Sequence, residues 1–171
     1  MSALQLDPDP YGPPSPLVVR WAQQVHSPGR VLDLGCGHGR HSVLLARRGW
    51  AVDAVDHDPR ALRSVARHAV SAPIRVVDQD LCALRWTNLP DRDDGYRLVL
   101  LFRVLYQLPD QREGVLRRAW ERVGPHGELL VVDTTAGIDA ALGQLSDAAV
   151  RERSLRHARL ARSGSDHTDY A

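Results

Sequence analysis

The chain predicts an α/β fold built on an open, mostly parallel sheet, and three observations carry that prediction. Val31, Leu32 and Leu34 form a short apolar run suited to a strand buried on both faces. Gly35, Gly37 and Gly39 follow at once, a spacing that lets the backbone turn tightly against a ligand. A second apolar run, Ala51-Val52-Asp53-Ala54-Val55, comes after a helical stretch and ends in Asp56-His57-Asp58-Pro59. Strand, turn, helix and strand in that order generate parallel sheets, whose ligands bind beyond the C-terminal strand ends.

The elements follow in order. Residues 1–15 carry Pro8, Pro10, Pro13 and Pro14 and predict an arm without regular structure. Ser15-Pro16 is a helix start, and Leu17, Val18, Trp21, Ala22 and Val25 give that helix an apolar side. After the first strand, glycine turn and second strand, Asp58 caps a helix with Pro59 in its first turn. Ile74–Val77 reads as a third strand, followed by Asp78-Gln79-Asp80-Leu81. Residues 84–96, with Pro90-Asp91-Arg92-Asp93-Asp94-Gly95, predict a polar surface loop. Arg97–Phe102 is a fourth strand. Asp110 with Glu113 makes a capping-box-like helix start, with Val115, Leu116, Ala119, Trp120 and Val123 at helical spacing. Gly124-Pro125-His126-Gly127 reads as a turn before a fifth strand, Glu128–Asp133.

The glycine spacing excludes two phosphate-binding loops. The dinucleotide fingerprint G-x-G-x-x-G needs glycine at position 40, which holds Arg40. A P-loop needs a lysine, and this chain has none. Asp56 lies 17 residues beyond Gly39, close to where an α/β nucleotide fold presents a carboxylate to a ribose hydroxyl pair. Two carboxylate oxygens can accept from both vicinal hydroxyls.

The acid-plus-glycine loop Asp33-Leu34-Gly35-Cys36-Gly37-His38-Gly39, Asp56, the Asp80-Leu81 pair and the fourth-strand segment occur together in one order. In that order they resemble the class I S-adenosylmethionine-dependent methyltransferases, over residues 16–133. The resemblance implies a Rossmann-like, doubly wound, mostly parallel sheet in a single domain, with S-adenosyl-L-methionine as cofactor. It implies that Asp33, Gly35, Cys36, Gly37, Gly39, Arg40, Asp56, His57, Asp80, Leu81 and Phe102 form the cofactor site. In the family, an acid after the third strand accepts from the adenine amino group. Asp80 followed by Leu81 fits that register best, with Asp78 as its rival. Asp33, Asp56 and Asp80 are therefore expected to converge from successive strand tips on one nucleoside. Arg40 is placed to pair with the carboxylate of the methionine moiety or of a substrate, or to face solvent. Locally, Gly35–Ser42 and Leu44–Asp56 look most like the tellurite-resistance methyltransferase branch, with His41 where that branch has asparagine.

Three departures qualify the resemblance. Relatives add a helix and two strands after the fifth strand, whereas Ala148–Arg162 reads as a helix with a thin apolar face among Arg151, Arg153, Arg156, Arg159 and Arg162. The expectation is a 134–171 segment of short helix and tail, a sheet lacking the usual C-terminal strand pair, and an open edge covered either by a homodimer, the favoured solution, or by the C-terminal helix. Arg97 replaces the acid usual at the start of the fourth strand. Tyr106-Gln107 stands where many small-molecule relatives carry histidines, and no Asn/Asp-Pro-Pro-aromatic signature follows that strand, which argues against methylation of nucleic-acid bases.

The candidate catalytic residues are Tyr106 and His41, with His38 and Tyr11 as further possible bases. His38 and His41 have helical i, i+3 spacing but no third ligand nearby, so no metal is predicted. The lack of an obvious base points to an acceptor that is already nucleophilic. A formal net charge of +1 offers no general attraction to nucleic acid or membrane. All 22 Lys+Arg residues are arginine. No apolar run reaches membrane-spanning length, and Cys36 and Cys82 fit no disulfide framework, which suggests reduced thiols in a cytoplasmic protein. The prediction is a methyltransferase acting on a small-molecule acceptor. The alternative is a module that binds the cofactor without transferring its methyl group, or an accessory subunit completed by a partner.

Overall fold

The computed structural model describes residues 12–83, 85–89, 95–133, 142, 145, 148–154 and 157–162. Among the described residues seven strands form one sheet: β1 (Arg30–Leu34), β2 (Ala51–Asp56), β3 (Ile74–Asp78), β4 (Tyr96–Phe102), β5 (Val123–Val132), β6 (Ala148–Ser154) and β7 (His157–Arg162). Their spatial order is β3-β2-β1-β4-β5-β7-β6. The first five pair in parallel, while β7 runs antiparallel to β5 and β6 antiparallel to β7. Chain order reverses between β1 and β4, so a crevice opens there at the C-terminal strand ends.

Alternation along the strands divides the core between the two sheet faces. Val31, Val52, Ala54, Leu98 and Leu100 pack with helices α1 (Pro16–Gln24), α2 (Arg40–Ala46) and α3 (Pro59–Ala69). Leu32, Leu34, Val99, Leu101 and Leu129 pack with α4 (Arg112–Glu121) on the other. The sheet is thus doubly wound and mostly parallel, as predicted.

Two helix starts form as the sequence predicts. The Ser15 side chain accepts from the Leu17 N–H at 3.3 Å. Asp58 accepts from the Arg60 N–H at 2.8 Å, with Pro59 opening the helix. The capping box at Asp110 does not form: α4 begins two residues later, and Gln111 at its cap makes no side-chain cap bond. The predicted turn at Gly124–Gly127 lies inside β5 as an irregularity, where pairing jumps from Tyr96↔Val123 to Leu98↔Glu128. A Cβ on Gly127 would come within 2.2 Å of the Tyr96 carbonyl oxygen, so only glycine allows this approach. In the predicted polar loop, Trp86 and Leu89 are core residues; positions 84 and 90–94 lie outside the described residues.

The C-terminal expectation is corrected. Ala148–Ser154 and His157–Arg162 are strands, not a helix, so the sheet has the antiparallel pair it was expected to lack. An unpaired β5 edge offers a row of backbone donors and acceptors, and pairing them outweighs local propensity. Leu160 and Ala161 are buried, and Arg159 forms a two-point ion pair with Glu128, Nε–Oε2 at 2.8 Å and Nη2–Oε1 at 3.0 Å. Trp21 of α1 donates its indole N–H to the same carboxylate at 2.6 Å. The edge that motivated a homodimer is therefore covered by the chain itself.

Candidate functional site

The β1–β4 crevice holds a cleft of about 540 Å³, within the range of small-molecule sites. Of the predicted site residues, Gly35, Cys36, Gly37, Arg40, His41, Asp56, His57, Asp80, Leu81, Phe102 and Tyr106 line it, and Asp33 and Gly39 do not.

The glycine turn builds the floor. Gly35 has φ +71, and a Cβ there would meet Val104 Cγ2 at 2.4 Å. Gly39 has φ +84 at the cap of α2, and a Cβ would meet Val65 Cγ2 at 2.7 Å. Gly35 brings the floor against the segment after β4; Gly39 lets α2 seat on α3. Gly39 thus shapes the loop from beneath.

Asp56 sits at the tip of β2. Its Oδ2 accepts from the Gly37 N–H at 2.8 Å, and its Oδ1 accepts from the N–H groups of His57 and Asp58 at 2.8 and 3.0 Å. Three charge-assisted bonds fix the carboxylate between the glycine loop and α3. Asp80 follows β3 and lines the same wall, its Oδ1 accepting from the Cys82 N–H at 2.8 Å. Leu81 beside it is buried and apolar. The rival Asp78 pairs with Asp56 in the strand register but does not line the cleft.

Asp33 departs from the expected convergence. It is 1% exposed, under the loop, and its Oδ2 accepts from Ser42 Oγ at 2.7 Å. Burial pushes its carboxyl up to about 6, against a smaller lowering by Ser42. It couples strand, loop and helix without entering the cleft, so two of the three aspartates share the wall.

His41 is buried, and its Nε2 accepts from the Ser15 N–H at 3.2 Å. Its ring packs on Phe102 with centroids 4.5 Å apart. Burial, with Arg40 adding to it, lowers its pKa to about 3. A neutral imidazole whose Nε2 lone pair holds a backbone N–H is poorly equipped as a base. Tyr106 is 48% exposed at the cleft mouth, where its hydroxyl accepts from Gln107 Nε2 at 3.1 Å. The backbone of its one-turn helix is held by Asp133, whose Oδ2 accepts from the N–H groups of Leu105 and Tyr106 at 2.7 and 3.3 Å. Arg40 lies over the Phe102 ring at 5.6 Å, and its Nη1 donates to the Pro13 carbonyl at 3.4 Å. Tyr11 lies outside the described residues.

The lining also holds Asp58, Pro59, Ala61, Arg103, Val104, Gln107 and Leu108, which the sequence did not assign to the site, and His38, which it offered only as a possible base. The rule that selects the tip of β1 also selects the tip of β4, so residues 103–108 were reachable from the fourth-strand assignment.

A sulfonium nucleoside carrying an amino-acid tail fits these residues. A bare-backbone turn lies beside a fixed carboxylate, a second carboxylate stands next to buried Leu81, and an arginine overlies an aromatic ring.

Residues 31–127 match the family described as methyltransferase domain. The trans-aconitate 2-methyltransferase of Rhodococcus jostii is 33% identical over 134 residues, 76% of this chain and 48% of that protein. The ubiquinone biosynthesis O-methyltransferase of Azorhizobium caulinodans is 36% identical over 103 residues, 60% of this chain and 39% of that protein. The chain therefore spans half or less of the length of these curated relatives. A TehB-like SAM-dependent methyltransferase from Corynebacterium glutamicum superposes with a TM-score of 0.68 at 16% identity, covering 85% of this chain and 86% of that one. At that identity the likeness is one of fold. Glycine loop, strand-tip acids, switch-point cleft and family match agree: the chain belongs to the class I S-adenosylmethionine-dependent methyltransferases.

Proposed function

We propose that this chain transfers a methyl group from S-adenosylmethionine to a small-molecule acceptor. The observation that carries the reading is one switch-point cleft with carboxylates on its β2–β3 wall and a separate wall after β4. The two curated relatives reported above, whose names state small-molecule methylation, support it.

When bound, the cofactor supplies a methyl group on a positively charged sulfur, open to in-line attack. Asp56 would hold the ribose through its remaining acceptor site, and Asp80 with Leu81 would hold the base. The Gly35–Gly39 turn and Arg40 would hold the amino-acid tail. Phe102, Val104, Leu108 and Tyr106 exclude water and shape the acceptor side. Alignment and desolvation supply the acceleration, on the order of 7–11 kcal/mol in favourable intramolecular cases. No ionised base is required of His41 or Tyr106 if the acceptor arrives unprotonated.

Calorimetry with S-adenosylhomocysteine tests the site, and transfer of labelled methyl to a metabolite panel tests the reaction. Asp56→Ala weakens S-adenosylhomocysteine binding by more than about tenfold, through loss of a charged acceptor; unchanged affinity removes Asp56 from the site. Tight binding with no turnover on any acceptor, soft thiolates included, supports instead a module that holds the cofactor without using it.

A further inference from the structure

We propose that Arg103 anchors the methyl acceptor through a carboxylate, so that the acceptor is a small organic acid. This rests on reading the cleft as a combined cofactor and acceptor site. Arg103 follows Phe102 at the tip of β4, lines the cleft and is exposed within it. It is the one non-glycine residue with positive φ, +57, among the described residues. Such a backbone is unfavourable for a side chain with a Cβ, and it persists only where the surroundings impose it. Here they do. The Arg103 N–H donates to the Val132 carbonyl at 2.6 Å, its own carbonyl accepts from Gln107 Nε2 at 3.4 Å, and the next residue, Val104, is seated against Gly35. The chain is pinned on both sides of an arginine that lines the cleft.

Charge in the cleft is partitioned. Its acids lie at the ends of β2 and β3, Asp56 closing β2, Asp58 following it and Asp80 following β3; its arginines, Arg40 and Arg103, open α2 and follow β4. Asp133, just after β5, is buried with its Oδ2 accepting the Leu105 and Tyr106 N–H groups, and it does not line the cleft. The acids suit the hydroxyl- and amino-bearing nucleoside. The opposite wall offers a planar donor fork, which matches a carboxylate in two parallel hydrogen bonds.

The test uses the full chain, citrate, cis- and trans-aconitate and malonate as probes, their amides as uncharged controls, and inorganic phosphate as a competitor. Wild type loaded with S-adenosylhomocysteine is expected to bind at least one carboxylate and none of the amides. Arg103→Gly, which suits the +57 backbone and so keeps the fold, is expected to weaken that binding at least tenfold. Its affinity for S-adenosylhomocysteine should stay within twofold of wild type. Arg103→Gln should follow it, and where a probe is methylated the change should fall more on KM than on kcat. Failure of every carboxylate to bind overturns the inference, as does equal binding of amides, or competition by phosphate without carboxylate binding. A tenfold loss of S-adenosylhomocysteine affinity in Arg103→Gly also overturns it, by assigning the guanidinium to the cofactor. If wild type fails to bind S-adenosylhomocysteine at all, the methyltransferase reading itself fails.

Discussion

Asp33 and His41 stand eight residues apart around the same glycine loop and respond to burial in opposite directions. Asp33 holds its proton more tightly in the folded chain, up to about 6 against an ordinary 3.8. Its stabilising contribution is complete below about pH 3.8 and is lost as pH rises toward 6. His41 holds its proton less tightly, down to about 3 against 6.5, so its contribution is complete above about pH 6.5 and is lost as pH falls toward 3. Across the shared window, about pH 4 to 6, the two nearly cancel, each carrying a slope of roughly 1.4 kcal/mol per pH unit. Asp33→Asn, which keeps a bond to Ser42, should therefore lose stability relative to wild type as pH falls from 6 to 4. His41→Gln should gain relative to wild type over the same interval. Urea midpoints at pH 4.5 and 6 decide it, and shifts of the same sign in both variants would refute the opposition. The sequence placed both residues beside the cofactor loop. It carried no sign that Asp33 would be covered or that His41 would spend its lone pair on Ser15, because both outcomes depend on which segments pack above them.

At the scale of elements, the β5–β7 join depends on Glu128 and Arg159, buried or nearly so and bonded at two points. Arg159→Leu removes the cation from a carboxylate that stays buried, and should cost about 3 kcal/mol, the low end for a broken buried pair. Adding Glu128→Gln should recover part of the loss in chemical denaturation; a double variant no more stable than the single one would mean the charge is immaterial. Gly39→Ala should cost at least about 1 kcal/mol from its positive φ, and more from the Val65 contact. Val65→Ala in that background relieves only the contact, so thermal melting should show partial rescue. β1 to β4 were legible because apolar runs bounded by glycine, proline and acids need no distant information. β6 and β7 were not. Arg151 and Arg153 are spaced as on a strand, yet a run rich in arginine and alanine also suits a helix, and only the open side of β5 chooses between them. The Gly124–Gly127 turn was legible as chemistry but not as placement, since it forms inside a strand where Gly127 must pass the Tyr96 carbonyl.

For the whole molecule, the antiparallel hairpin replaces the partner that an open edge would have required. Removing residues beyond 147 should expose β5 and the apolar face under Leu160, giving association detectable by light scattering; a truncated chain that stays monomeric would show that the edge protects itself. The site as a whole follows from topology: strand order reverses between β1 and β4, and the glycine loop and the β4 tip meet across that reversal. The sequence supplied the first half of this meeting through its motif spacing. It supplied the second only through Phe102 and Tyr106, because the segment between them has no recurring residue signature.

Glu128 receives the Trp21 indole from near the start of the chain and the Arg159 guanidinium from near its end, and Arg159 reaches on to Gln24, 135 positions earlier. Residues as far apart as Trp21 and Arg159 must therefore both be present before this junction can close. Trp21 emission, isolated by replacing the other tryptophans, should report the closing of this junction.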